Sequence, residues 1–261
     1  MAHLCHVQAN RSGHTHTVIF LHGRDSDCEQ FASELFESEA SQPADGARTL
    51  PDLFPTIRWV FPGASELHSE RFDMVLSQWF DMWSTENPNE RSEIQHDGMR
   101  NSVAQILDVI RHEETLIPRN KIFLGGISQG FATALAAFFA DGQGLAGLIG
   151  LCSWMPLLGA VELDATATGQ TASENALRMH SAYFGTHPER ISPSHLFGTD
   201  VFLAHTEDDD VVPYQHGVTL KDTLTRLGHD VDWHLYQDGG HWINEPQGVD
   251  DLADFLRPRM G

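Results

Sequence analysis

The sequence predicts an α/β protein, with a mostly parallel central sheet and helices on both faces. Three observations predict it. Short β-branched or apolar runs recur along the chain. They alternate with stretches that carry apolar residues at helical spacing. The strand runs are apolar almost throughout, the pattern of strands buried on both faces. Hydrophobic residues make up 41% of the 261, enough for a sizeable core.

The elements follow in order. TVIFLHG, residues 17–23, reads as a strand and CEQFASELFESEA as an amphipathic helix. IRWVFPGA, residues 57–64, is a strand stopped by Pro62 and Gly63, because proline lacks the donor that a ladder needs. NSVAQILDVIRHEE puts Val103, Ile106, Leu107 and Ile110 on one helical face. KIFLGGI is a strand and QGFATALAAFFA a helix; LAGLIGLCS and DVFLAHT are two further strands. VTLKDTLTRLG is a helix closed by Gly228. VDWHLYQ is a strand, and VDDLADFLRP a last helix stopped by Pro258. Parallel neighbours then connect by right-handed crossovers.

Two stretches break the rhythm. Residues 80–98 are polar and turn-rich, and residues 163–198 are long and irregular with one short helical pattern. Long irregular segments are often lids or binding loops, so residues 163–198 are expected to be a loop or lid insertion. There is no internal repeat, low-complexity tract or linker, and residues 1–261 read as a single domain.

The chain has 37 Asp and Glu against 16 Lys and Arg, a formal net charge of -21. That argues against a phosphate-binding surface for nucleic acid, which needs basic residues to displace counterions. It also argues against adhesion to anionic lipid. GLAGLIGLCSWMPLLGAV, residues 144–161, approaches membrane-spanning length. Its glycines and Pro156 make it a buried strand and an apolar loop instead. Cys5, Cys28 and Cys152 show no disulfide or zinc spacing. With no secretory pattern at the start, a reduced, cytoplasmic setting is expected. His3, His6, His14 and His16 cluster in what reads as a mobile terminus, without the spacing of a zinc site.

The chemistry centres on Ser128. Gly126-Ile127-Ser128-Gln129-Gly130 is G-x-S-x-G between a strand and a helix. A sharp strand-to-helix turn presents such a serine above the sheet, and side chains two residues either side would collide with nearby backbone. A serine needs a base and an orienting acid to become a nucleophile. HTEDDDVVP offers Glu207, Asp208, Asp209 and Asp210 after one strand, and DGGHWINE places His241 after the next. The order serine, acid, histidine, each after its own strand, is that of a hydrolase triad. The oxyanion donors are expected to be the N–H of Gln129 and, from the loop after the first strand, that of Arg24. His22 beside it reads as a structural loop histidine.

Together these residues resemble the acyl-protein thioesterase, or phospholipase/carboxylesterase, family of small α/β-hydrolases. VIFLHGR, WVFPGA, SQWFDMW, LGGISQGFATAL, LCSWMPL, HTEDDDVVP and GGHWINE carry the likeness over most of the chain. The resemblance implies Ser128 as nucleophile, His241 as base and Asp209 as acid, chosen over Asp208 and Asp210 by position alone. It sets Trp79 and Trp154 near an acyl site. It implies no metal or organic cofactor. The substrate would be a small-molecule ester or acyl-thioester, or an acylated protein, with an apolar acyl chain. Three departures stand out: Asp25 where the family usually has glycine, Phe131 after Gly130, and the length of 163–198. They leave room for an esterase, lactonase or acyltransferase of one small metabolite. A non-catalytic ligand-binding protein on this fold is the alternative from another class.

Overall fold

The computed structural model describes residues 5–141, 144–156 and 199–261. In chain order its elements are β1 (Cys5–Gln8), β2 (His16–Leu21), α1 (Cys28–Leu35), α2 (Leu50–Leu53), β3 (Ile57–Pro62), β4 (Ser65–Ser69), β5 (Met74–Gln78), α3 (His96–Glu114), β6 (Ile122–Ile127), α4 (Gln129–Asp141), β7 (Gly147–Leu151), β8 (Asp200–Thr206), α5 (Tyr214–Arg226), β9 (Asp230–Tyr236) and α6 (Gln247–Arg259). Seven strands form one sheet in the order β1-β3-β2-β6-β7-β8-β9, and β4 and β5 pair separately as a hairpin. Every pairing in the main sheet is parallel except β1 with β3.

Side chains along a strand alternate between faces, and β2 divides the core accordingly. Ile19 and Leu21 pack into a cluster with α3, α4 and α5. Val18 and Phe20 pack into a second cluster with α1 and α6. The sheet is thus covered on both sides by helices, as the continuous apolar strands predict. Helix α4 is buried almost all round, and its alanines let it lie close to the sheet beneath α3. Helix α1 starts at Asp27, whose carboxylate accepts from the N–H groups of Glu29 and Gln30 at 2.9 Å, a cap of about 1 kcal/mol.

Some elements differ from expectation. Residues 5–8 are an edge strand, not part of a mobile terminus, and His16 belongs to β2. Burial foremost, then Lys121 and His14, push the His16 pKa down to about 4. The last helix runs through Pro258 to Arg259, since a proline in the final turn removes only one ladder bond. The β4–β5 hairpin has no counterpart in the sequence reading. The expected insertion at 163–198 lies outside the described residues.

The chain leaves β2 for β3 on one side, then returns past β2 to β6 on the other. The covering helices change face at that point: α1 lies on one side and α3 on the other. The crevice between β2 and β6, at their carboxyl ends, is the topological switch point where such sheets place ligands. Leu21 and Gly126 are register partners there.

Candidate active site

Ser128 sits on the turn from β6 into α4 with φ of 56°, a left-handed conformation that costs a residue with a Cβ about 1–2 kcal/mol. The surroundings hold it there. Its N–H donates to Leu151 O at 2.9 Å, and its carbonyl accepts from Ala132 N and from Ser153 Oγ. The flanking glycines are explained by the backbone of the next strand. A Cβ on Gly126 would lie 2.7 Å from Leu21 O. One on Gly130 would lie 2.4 Å from both Leu21 O and His22 O. The turn is therefore pressed directly against the end of β2. Gly130→Ala is expected to cost at least ~3 kcal/mol through this backbone clash. That corresponds to a fall in Tm of roughly 6–12 °C, readable by differential scanning calorimetry.

The loop after β2 lies alongside. His22 is fully buried, with Nδ1 on Gly23 O at 2.7 Å and Nε2 accepting from Ala64 N at 3.0 Å. Both nitrogens are used in holding the loop, and burial above all lowers its pKa, so it is a neutral structural residue. Asp25 has φ of 63° and its N–H donates to Ser77 O at 2.7 Å. Ser77 Oγ in turn donates to Ser26 O at 2.7 Å. The β4–β5 hairpin thus braces the Gly23-Arg24-Asp25 turn. From the other side the Gln129 side chain clamps the segment after β5, accepting from Trp79 N and donating to Phe80 O. That leaves the backbone N–H of Gln129 at the start of α4, where helix donors are unpaired.

Of the four acidic residues after β8, Asp209 is the one bonded to His241: Oδ2 lies 2.8 Å from Nδ1. Its Oδ1 accepts from Val211 N at 2.9 Å and Val212 N at 2.8 Å. His205 Nε2 lies 3.1 Å from the same Oδ2, its ring buried beside Gly217. Burial alone would raise the Asp209 pKa. The hydrogen bonds from His205 and His241, the charge of His241 and the Val212 N–H outweigh it, and hold the carboxyl well below its usual range. Because the carboxylate accepts, His241 Nδ1 carries the proton and Nε2 is left as a base. Asp208 is used differently. Its Oδ1 accepts from Gly240 N at 2.9 Å and ties down the histidine loop. Gly239 and Gly240 both have positive φ, 126° and 62°. The Cys152 thiol sits beside this group, its pKa pushed well up by burial first and then by Asp209. Cys152, His205 and Asp209 bring three potential ligand atoms within 4.8 Å of one another. The thiol is held protonated and N–H donors face both carboxylate oxygens, so these groups hold the Asp209 carboxylate in place.

Ser128, His241, Gly23 and Arg24 line one cavity of about 550 Å³, a volume suited to a small ligand. Its apolar wall comes from α1, the hairpin and the loops: Phe31, Phe72, Met74, Leu76, Val211 and Trp242.

This arrangement invites comparison with known proteins. The profile of the phospholipase/carboxylesterase family matches residues 2–183 and 179–259. The chain belongs to the phospholipase/carboxylesterase family. An acyl-protein thioesterase 1 of Yarrowia lipolytica is 26% identical over 94% of the chain and 91% of its own length. One of Gibberella zeae is 27% identical over 95% and 92%. The crystal structure of Zea mays acyl-protein thioesterase 2 has the same fold, with a TM-score of 0.71, 24% identity and full coverage of both chains. Family and fold together make the protein an α/β-hydrolase acting on esters or thioesters.

Against the family pattern, two departures have a local account. Asp25 takes up the left-handed turn that glycine would occupy, anchored through its N–H to the hairpin. Phe131 is accommodated by Gly150, where a Cβ would meet its ring at 2.5 Å. The two tryptophans chosen by the family resemblance do not line the cavity of Ser128. Trp79 is buried with Nε1 on His22 O at 2.9 Å, and Trp154 is buried in the same core cluster. The lining was missed because it comes from the hairpin and α1. A signal was present in ERFDMVL, where Phe72, Met74, Val75 and Leu76 surround a turn residue, Asp73, with φ of 49°.

Proposed function

We propose that the protein hydrolyses carboxylic esters or thioesters with apolar acyl chains through a Ser128–His241–Asp209 triad. The observation that carries this is the shared cavity: Ser128, on its strained turn, opens into the space lined by His241, whose Nδ1 is bonded to Asp209. His241 Nε2 takes the Ser128 proton as Oγ attacks the acyl carbon. The oxyanion is received by the N–H groups of Arg24 and Gln129, the latter at the positive end of α4. His241 then protonates the leaving group and activates the water that frees the acid. The apolar wall supports an acyl chain, and the names of the fungal relatives support a thioester or an acylated protein among the substrates. A cytoplasmic location belongs to the same proposal, supported by three free cysteines, two of them buried.

The test is hydrolysis of p-nitrophenyl esters of graded chain length beside a palmitoyl thioester, with a fluorophosphonate label to mark the nucleophile. The label is expected on Ser128. Each methylene buried in the slot contributes about 0.8 kcal/mol, so kcat/KM should rise about fourfold per methylene until the slot is full. A flat profile with no thioester cleavage would instead indicate a small-metabolite esterase. A label that attaches elsewhere removes Ser128 from the mechanism.

A further inference from the structure

We propose that Arg24 and Arg71 form an anion-recognition subsite at the mouth of the Ser128 cavity, which selects esters or thioesters carrying a carboxylate or phosphate group. The inference rests on the hydrolase reading above and adds a substrate class to it.

In so acidic a chain, an arginine normally finds a carboxylate. Of the twelve described arginines, nine have a carboxylate oxygen within 4.0 Å. A tenth, Arg226, turns onto the Asp222 carbonyl of its own helix. Of the two that remain, Arg24 lines the cavity and Arg71 stands outside it, against the same aromatic ring. The Arg24 guanidinium lies 5.4 Å from the centre of the Phe72 ring, and that of Arg71 lies 5.5 Å from the same ring. Phe72 lines the cavity beside Arg24 and Ser128. The protein bonds of these two side chains are few: Arg24 Nη1 is 3.5 Å from Met82 O, and Arg71 Nη1 donates to Trp83 O.

Two like charges on one aromatic ring repel each other, and the cost is felt. Burial first, and then Arg71, lower the Arg24 pKa, and the more distant carboxylates of Asp81 and Asp25 offset this only in part. A shared anion removes that repulsion, and the planar fork of each guanidinium fits the paired oxygens of a carboxylate or phosphate. Asp25 and Glu34 also line the cavity, but both are exposed. Water and salt screen such charges over about 8–10 Å; Arg71 is exposed and screened likewise, whereas Arg24 is half-buried and acts at close range. Arg24 is also the residue whose own N–H is the proposed oxyanion donor, so its side chain begins next to the reacting carbonyl.

The test compares paired esters. Monophenyl glutarate against phenyl pentanoate exchanges a terminal methyl for a carboxylate on the acyl side. 4-Acetoxybenzoate against phenyl acetate places the carboxylate on the leaving group. The wild type is expected to prefer the anionic member of at least one pair in kcat/KM. Arg71→Gln should reduce that preference about tenfold, through KM, with Arg71→Lys keeping part of it. Titration calorimetry of Ser128→Ala with glutarate and with inorganic phosphate reads binding apart from catalysis. Binding weakened about tenfold by adding Arg71→Gln supports the subsite, and the tighter of the two anions identifies the group. If the neutral esters are cleaved but neither pair shows a preference and neither anion binds, the subsite is wrong and the hydrolase reading stands. If no ester is cleaved while glutarate or phosphate binds through Arg71, the subsite stands and the assigned reaction is wrong.

Discussion

Ser128→Ala is expected to abolish ester hydrolysis while leaving the fold intact. In triad hydrolases, loss of the nucleophile lowers kcat on the order of 10⁶-fold, and a residual rate over water survives from the oxyanion donors and binding. The donors proposed here are the backbone N–H groups of Arg24 and Gln129, which the substitution does not touch. Alanine at φ of 56° is strained to the same degree as serine. The Ser128 N–H and carbonyl bonds to Leu151, Ala132 and Ser153 are also kept. Unfolding temperature should therefore stay close to that of the wild type, and a thermal melt beside the kinetic assay separates lost chemistry from lost structure. A variant that retains more than about a tenth of wild-type kcat cannot be missing the group on which the whole scheme depends.

Asp209→Asn is expected to have the second largest effect, in two measurable ways. An amide in this place presents N–H groups toward His241 or His205 and can no longer fix the tautomer of His241. Activity at neutral pH should fall about 10⁴-fold, as for the equivalent change in a serine protease. Stability should change with pH as well. The folded-state pKa of Asp209 is depressed, so its ionised form contributes stability that is complete above the ordinary aspartate range. That contribution is lost as pH falls below about 4 toward the folded-state value. The wild type should therefore lose Tm in this acid window, and Asp209→Asn should start lower at pH 7 and show a shallower decline. Melting curves between about pH 2.5 and 7 test this. Parallel curves for the two proteins would mean that Asp209 is not the group that titrates.

Much of the fold was legible because its strands are apolar end to end. β2, β6, β7 and β8 stand between two helix layers, and burial on both faces leaves a mark that short-range pattern reading detects. Ser128 was legible for a related reason, since the glycines at 126 and 130 record a backbone contact that no other residue type permits. β1 was not, because an edge strand of three half-buried residues and an exposed Val7 carries no apolar run. The β4–β5 hairpin was missed because Met74 and Val75 are exposed and its pairing depends on the turn at Asp73. Four consecutive acids after β8 are equivalent in residue type and spacing, and only position in the family resemblance singles out Asp209. Which one faces His241 depends on the turn that brings the Val211 and Val212 N–H groups to one carboxylate, a tertiary fact. The cavity wall left only the apolar cluster around Asp73 as a signal, and resemblance drew attention instead to two tryptophans that pack elsewhere.

The division of labour between Gly126, Gly130 and the end of β2 on one side and the hairpin on the other bears on how such a protein changes over time. The reactive turn is set by main-chain volume, so substitutions in the wall cannot displace it. Part of the wall, Phe72 and Met74, is exposed on a two-stranded hairpin outside the main sheet, so those side chains can be exchanged at small cost to the folded state. Reaction and selectivity are consequently inherited separately. A lineage can acquire a new substrate by editing Phe72 or Met74, as long as Ser77 keeps its bonds to Asp25 and Ser26.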